Sequence, residues 1–208
     1  GYFKDDPDAI FDAVGMWNTY PGVMDDILRT LTPRGVIRGN WMGYAKDADT
    51  TTHVAWRAIC MGANSLWWWR FDGIGMWRGL LRPTMDVWPA FQAFGDEMKV
   101  IRDGLGHILL TARPKDDGVA VLYSVEAATG DLVKSELPFG PGESSHQGTV
   151  CALKEGGVGF KYVTPRRIAA GALKGVRTLV LPRTTAIEPK TASAVRDFVK
   201  QGGVVVAD

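Results

Sequence analysis

The chain alternates between short apolar segments and amphipathic segments along its whole length. In the first half, apolar runs at 13–17, 35–39 and 64–69 are separated by segments of helical periodicity at 23–31, 51–62 and 91–105, after a short helix predicted at 7–12. Apolar residues at steps of three and four predict a helix packed along one face, and short apolar runs bounded by turn residues predict buried strands. Strands that alternate with helices form parallel βα units. The sequence therefore predicts an α/β fold.

The second half repeats this alternation more clearly. Strands are predicted at 119–123, 158–163, 176–181 and 204–206, and helices at 144–155 and 189–201. The last helix has Pro189 at its start and Gly202 just past its end, the usual asymmetry of helix termini. This order indicates an open, doubly wound sheet of the flavodoxin type. The polar stretch at 111–118, which contains Pro and Gly, is predicted to link the two regions.

Composition excludes several functional classes. The net charge is +1, from 24 basic and 23 acidic residues, and no basic cluster predicts nucleic acid or an anionic membrane as a partner. No apolar run is long enough for a membrane span, and no signal-peptide pattern opens the chain. Cys60 and Cys151 lack metal-ligand spacing, so neither a disulfide framework nor a metal or other cofactor is predicted. The compartment stays open, with the cytoplasm slightly favoured.

Polar and aromatic residues follow each predicted strand of the first half. In parallel α/β folds the carboxyl ends of the strands bind ligands, so these residues are candidates for substrate binding. The candidates are Trp17, Asn18, Tyr20, Asn40, Trp41, Tyr44, Arg70 and Asp72. For several of them a structural role competes: turn formation for Asn18 and Tyr20, helix packing for Trp41, and an ion pair between Arg70 and Asp72. His53 is expected to be a surface or packing residue.

Three adjacent tryptophans, Trp67–Trp69, precede Arg70 at the last of these strand ends. Side chains alternate across a strand, so one or two indoles are expected to pack on helices and the remainder to face the opposite side. An indole face suits the C–H face of a sugar ring, and charged groups suit its hydroxyls. The run therefore suggests carbohydrate, and the alternative is a bulky hydrophobic strand end.

The order of these segments resembles the β-galactosidases of glycoside hydrolase family 42. The resemblance rests on Val119–Ser124, Gly159–Thr164, Leu173–Pro182 and Val195–Gly203 in the second half, and on Ala55–Ala63 leading into Asn64–Arg70 in the first. The family has a (β/α)8 barrel followed by a trimerisation domain that is similar to a class I amidotransferase. The resemblance implies that residues 1–110 are the last three βα units of the barrel and residues 119–208 an incomplete trimerisation-like domain.

A complete barrel takes about 250 residues, so the resemblance also implies a chain truncated at both ends. It implies hydrolysis of β-galactosides or related β-glycosides by a retaining mechanism, with the acid/base residue outside this chain. The implied partners are a carbohydrate substrate and further copies of the chain, with a trimer as one possibility. The second half is not expected to act as a glutaminase, because no cysteine follows Leu181–Pro182 and Cys151 falls in a helical pattern.

Retaining hydrolysis requires two carboxylates, and Asn40 stands where the resemblance leads us to expect the nucleophilic glutamate. Three interpretations stay open. The protein is a non-catalytic relative that binds carbohydrate or assembles; or Asp47, Asp49 or Asp72 supplies the nucleophile; or both carboxylates lie in a segment outside this chain. Asp47 and Asp49 are also suited to capping a helix, and Asp72, the weak catalytic candidate, is suited to capping a loop.

Overall fold

The computed structural model describes residues 6–20, 23–33, 35–43, 47–70, 79–134 and 141–208. They form two compact units. The central unit is Val14–Arg113, and the terminal unit joins the first helix, α1 (Pro7–Ala13), to the residues from Pro114 onward. Each unit contains its own parallel sheet.

The described residues of the central unit form three strands and four α-helices in the order expected for βα units. Its elements are β1 (Met16–Thr19), α2 (Val23–Leu31), β2 (Ile37–Met42), α3 (Ala48–Cys60), β3 (Ser65–Trp68), α4 (Pro89–Val100) and α5 (Gly106–Thr111). The strands pair in parallel in the order β1-β2-β3. In this register Thr19 lies opposite Asn40, and Asn40 lies opposite Leu66. The parallel pairing confirms the α/β fold predicted from the alternation.

Several boundaries in the central unit differ from the prediction. Strand β1 was expected at 13–17 and lies at Met16–Thr19. Strand β2 was expected at 35–39, yet it extends through Met42, because Met42 still pairs with Trp68 of β3. The helix expected at 91–105 is interrupted after Val100 by a π-helical turn in which Gly104 has φ 146°. That conformation is open to glycine and costly for other residues. Helical structure resumes in α5 and continues to Thr111.

In the part of the terminal unit that the structure describes, four parallel strands form the sheet. After α1 its elements are β4 (Val119–Leu122), α6 (Val125–Lys134), α7 (Pro141–Glu155), β5 (Phe160–Val163), α8 (Pro165–Ala169), β6 (Thr178–Leu181), α9 (Pro189–Lys200) and β7 (Val204–Ala207). The strand order is β5-β4-β6-β7. A first strand placed between the second and the third is the arrangement of open, doubly wound sheets.

Both faces of this sheet are buried at its centre. One face packs in a cluster with Ile168 of α8 and Phe198 of α9. On the other side, His146 of α7 stacks on Tyr162, with ring centroids 6.1 Å apart, and meets Tyr123 edge-on. Parallel strands covered on both faces are rich in apolar residues, which is why the sequence located β4 and β6 at the centre of the sheet. Strand β7 is also an apolar run, but it lies at the edge of the sheet, and Val204 and Val206 are about half exposed.

Two helices of the terminal unit were not predicted. Helix α6 begins after Ser124, whose hydroxyl accepts a hydrogen bond from the amide of Ala127. Helix α8 begins after Thr164, whose hydroxyl accepts from the amide of Arg167. Both are serine or threonine caps, and α8 has only five residues, too few for apolar periodicity to indicate a helix.

Helix α1 belongs with the terminal unit, whereas the sequence grouped residues 1–110 together. The buried carboxylate of Asp8 accepts hydrogen bonds from the hydroxyl of Thr164 and from Nε of Arg167, the latter at 2.7 Å. Asp12 pairs with Arg166 at 2.7 Å. These contacts join α1 to the start of α8.

Candidate functional site

The three strands of the central unit have two different faces. Side chains alternate along a strand, and residues opposite one another in a parallel register share a face. Asn18, Gly39 and Ser65 are opposite one another and share the first face. Thr19, Asn40 and Leu66 are likewise opposite one another and share the second. We call the first face the open face and the second the covered face.

The open face contains a compact set of neutral polar and aromatic groups. A Cβ atom on residue 39 would collide with Asn18 Oδ1, Ser65 Oγ and Trp67 Cδ1, so the absence of a side chain at Gly39 allows these groups to converge. The Trp67 indole donates to Ser65 Oγ at 3.0 Å, and Ser65 Oγ donates to the carbonyl of Arg38 at 3.1 Å. Trp41 lies beside Trp67, with ring centroids 6.3 Å apart.

Large apolar side chains on the open face are exposed. Met16 and Ile37 are each 43% exposed, Trp67 is 38% exposed and Trp69 is 46% exposed. Parallel sheets usually have both faces covered. In the described residues of the central unit, helices cover one face and the other presents these apolar groups.

The covered face packs against helices. Trp68 meets Phe91 and Phe94 of α4 edge-on, with ring centroids 5.3 and 4.7 Å away. The tryptophan run is therefore divided as strand alternation predicts, with Trp67 and Trp69 on the open face and Trp68 on the helices. Trp17 lies opposite Arg38, so it too belongs to the covered face.

Asn40 is buried on the covered face. Its Nδ2 donates to Asp25 Oδ1 of α2 at 3.1 Å, and its Oδ1 accepts from the hydroxyl of Thr19 at 3.3 Å. Only 2% of Asn40 is exposed, so its side chain joins sheet to helix and does not reach the open face. On β2 the open face carries Gly39 and Trp41, and neither can act as a carboxylate nucleophile.

The other predicted site residues are distributed around the strand ends. Tyr20 directly follows β1 and is 61% exposed. Arg70 follows β3, and its carbonyl accepts from the amide of Leu80 at 2.9 Å. Tyr44 and Asp72 lie outside the described residues. The structure thus brings Asn18 and Trp41 together on the open face and places Trp17 and Asn40 on the opposite side.

The acidic candidates of the loop before α3 have a structural role. Asp47 is the N-cap of α3, and its carboxylate accepts from the amide of Thr50 at 2.8 Å. This hydrogen bond holds the pKa of Asp47 below its usual value. Asp49 lies in the first turn of the same helix, where a negative charge is favoured by the helix dipole. Glu97 of α4 accepts from the Trp56 indole at 3.0 Å.

The arrangement favours neutral, hydroxyl-bearing ligands. Among the described residues of the open face we find amide, hydroxyl and indole groups, and no carboxylate. Across the described part of the chain, no group of three or more histidine, cysteine or acidic residues is placed to hold a metal ion. Likewise, none of its helices has the length and apolar character to span a bilayer.

Sequence reasoning missed Gly39 and Ser65 as members of the open face. Neither residue is aromatic or charged, and the candidate residues at the strand ends were chosen mainly for those properties. Their signal is positional: each lies two residues before a tryptophan, Trp41 and Trp67, and a step of two keeps residues on one face. A register for β2 was needed to use that signal, and the sequence placed β2 two residues too early.

In the terminal unit, the structure agrees with the expectation that Cys151 is helical. Cys151 lies in α7 and is exposed. The turn after β6 contains Arg183, whose amide donates to Asp208 Oδ1 at 2.6 Å. Asp208 Oδ2 accepts from Ser145 at 2.7 Å. The carboxyl ends of β6 and β7 are thus joined by side chains of the unit itself.

Comparisons with solved structures identify the fold. A family 42 β-galactosidase from G. stearothermophilus superposes with a TM-score of 0.78 at 15% identity, over 99% of this chain and 34% of that one. The β-galactosidase of Bacillus circulans sp. alkalophilus gives 0.72 at 17% identity, over 92% and 31%. That of Halorubrum lacusprofundi gives 0.66 at 18% identity, over 97% and 30%.

The chain therefore has the fold of part of the family 42 and related β-galactosidases, and it spans about a third of the length of the structures it matches. This confirms, at the level of the fold, the resemblance stated from the sequence. No protein-family model and no curated protein matches the sequence.

Proposed function

We propose that this chain is the sugar-binding part of a family 42-like protein that acts on β-galactosides or related β-glycosides. In this proposal β1, β2 and β3 are the last three strands of a (β/α)8 barrel, and residues 119–208 belong to a trimerisation-like, amidotransferase-like domain. The observation that carries the proposal is the open face of the central sheet. In a barrel that face is the interior, enclosed by the remaining strands.

The chemistry of the open face supports a carbohydrate ligand. Trp41 and Trp67 offer adjacent indole surfaces, and Asn18 and Ser65 offer neutral polar atoms beside Gly39 on the same face. The combination of apolar faces with a few convergent polar groups is typical of small-molecule sites. A phosphate or a carboxylate ligand would require cationic groups, and the described residues of the open face provide none.

A retaining mechanism would need two carboxylates about 5–5.5 Å apart. With Gly39 and Trp41 on the open face of β2, the described residues supply neither carboxylate. Under the enzymatic proposal they come from Asp72 or from a segment outside this chain. The second candidate, a carbohydrate-binding relative without catalysis, is favoured by Gly39 and Trp41 at this position more directly than by Asn40, which faces α2.

The test uses the full-length protein. Sugar binding is measured by tryptophan fluorescence with galactose, lactose and neutral control polyols, and turnover is measured with a panel of aryl β-glycosides. Saturable binding with turnover supports the enzyme, and binding without turnover supports the non-catalytic relative. A folded protein that neither binds nor hydrolyses any member of the panel contradicts both.

Replacing Asn40 by Glu is a poor route to restoring catalysis. The new carboxylate would lie against the buried carboxylate of Asp25, on the face opposite the indoles. Two carboxylates that are buried side by side repel each other when both are ionised, so the charged form of the new side chain is disfavoured. We therefore expect Asn40→Glu to lower stability and to leave turnover unchanged, and a gain in hydrolysis would show that residue 40 reaches the substrate.

A further inference from the structure

A small cleft lies on the covered face of the central sheet, between β2, α2 and the end of α3. Its lining includes Asp25 and Arg29 of α2, Arg38 of β2 and Ala58, Met61 and Gly62 from α3 and the turn after it. The cleft is on the opposite side of the sheet from the indoles of the open face. It takes no part in the sugar site proposed above.

Two arginines face this cleft, and one of them has an unusual environment. Among the described residues, no hydrogen bond or ion pair engages the guanidinium group of Arg38, and its Nε is buried. Burial and the positive charge of Arg29 both lower the pKa of Arg38. Arg38 as a whole is half-buried, so the cost falls on its Nε, a buried polar atom without a partner.

The neighbouring carboxylates are engaged elsewhere. Asp26 lies 3.5 Å from Arg29, so that pair balances the charge of Arg29. Asp25 also lines the cleft, and its Oδ1 accepts from the amide of Asn40. No described carboxylate lies within ion-pair distance of Arg38. The positive charge of Arg38 therefore lacks a counter-charge from the described side chains.

We propose that the cleft between α2 and α3 binds a chloride ion, held by Arg38 with Arg29 beside it. A guanidinium group presents its N–H donors in a planar fork that suits an anion. The anion provides the counter-charge of Arg38 and connects β2 to the two helices. Its position is at the Arg38 end of the cleft, because Asp25 repels it from the other end.

The first experiment uses the unmodified chain. Sodium chloride replaces sodium gluconate at constant ionic strength, and the thermal unfolding midpoint is followed by tryptophan fluorescence. A ligand that binds the folded state raises the midpoint with its concentration, so we expect a saturating rise with chloride. Isothermal titration of sodium chloride into the protein in gluconate buffer measures the same site directly. Equal midpoints at equal ionic strength, together with no heat beyond that of dilution, overturn the proposal.

The second experiment assigns the site to Arg38. Arg38→Gln is compared with Arg102→Gln, an exposed arginine of the same unit that pairs with Asp103. Loss of a charged hydrogen-bond donor is expected to weaken anion binding by about tenfold or more, whereas Arg102→Gln leaves it unchanged. Asp25→Asn is expected to strengthen binding, because it removes the repelling charge. Wild-type affinity in a folded Arg38→Gln variant contradicts the assignment.

Discussion

The two sheets of this chain are built from the same parallel βα pattern, and their surroundings differ. In the terminal unit both faces of the sheet are buried at the centre, with Leu122 and Leu179 fully buried. In the central unit helices cover one face, while Met16, Ile37 and Trp67 on the other are exposed. An apolar face that stays exposed is typical of an interaction surface or a ligand-binding site. Parallel strands alone therefore do not tell whether a sheet is complete.

The largest expected effect comes from truncating matched aliphatic side chains in the two sheets. Leu179→Ala removes a fully buried side chain of β6 and should cost about 3–4 kcal/mol of unfolding free energy. Ile37→Ala removes one that is 43% exposed and should cost about 1 kcal/mol or less. Chemical denaturation of each variant measures the difference. Equal losses would show that the open face is covered in solution.

Loss of Asp8 should be nearly as severe. Asp8→Ala removes a buried carboxylate that accepts from Arg167 and from the hydroxyl of Thr164, and the loss of these charged hydrogen bonds should cost about 2–3 kcal/mol. Asp12→Ala is the matched control in the same helix, because Asp12 and Arg166 are both more than half exposed. An exposed pair contributes about 0–1 kcal/mol. Equal losses of unfolding free energy in the two variants would mean that the buried contacts of Asp8 stabilise the terminal unit no more than the exposed ion pair of Asp12 does.

Adjacent tryptophans provide a smaller contrast within one strand. Trp68→Ala removes edge-on contacts with Phe91 and Phe94 and should cost about 2–3 kcal/mol. Trp67→Ala should cost about 1 kcal/mol, since its indole is 38% exposed. In the full-length protein, the sugar-dependent change in fluorescence should be lost in Trp67→Ala and retained in Trp68→Ala. The reverse pattern would show that the covered face, and not the open face, binds the sugar.

The smallest effect concerns acid stability. The amide of Gly118 is the main cause that lowers the pKa of Asp116, and Lys161 adds to it. A folded-state pKa below the unfolded value of about 3.9 stabilises the protein above that pH, and the stabilisation is lost as pH falls through the folded pKa. Asp116→Asn should therefore flatten the acid limb of the stability profile.

The central unit offers a counterpart in Asp96, whose pKa is lowered chiefly by the hydrogen bond from Lys99. Asp96→Asn should be the more salt-sensitive change, because Asp96 and Lys99 are both more than half exposed. Unfolding measured between pH 2 and 6 at two salt concentrations compares them. An unchanged acid limb in Asp116→Asn would contradict the role of Gly118.

The elements that could be predicted are those with a clear apolar pattern or clear end signals in the sequence. Strands β4 and β7 are continuous apolar runs, β5 and β6 are mostly apolar, and α9 has its proline and glycine at the two ends. The division of Trp67 from Trp68 followed from alternation alone. The position of Asn40 could not be predicted, because its face depends on the register of β2, which pairing with β3 extends to Met42.

The candidate site was predicted in its residue types more than in its geometry. Asn18 and Trp41 lie together on the open face, but Gly39 was missed because its contribution is the absence of a side chain. The place of α1 was also beyond sequence reasoning. The partner of Asp8 is a threonine 156 residues away, and no local pattern encodes that contact.

Helix α1 has a consequence for biosynthesis. Thr164 and Arg167 lie 156 and 159 residues after Asp8, so they must be synthesised before Asp8 can dock. The whole central unit, Val14–Arg113, is translated in between. Helix α1 therefore waits without these partners while the central unit is synthesised. A segment expressed from Pro114 onward would lack the buried carboxylate of Asp8, so α1 should be fused to it when the terminal unit is produced alone.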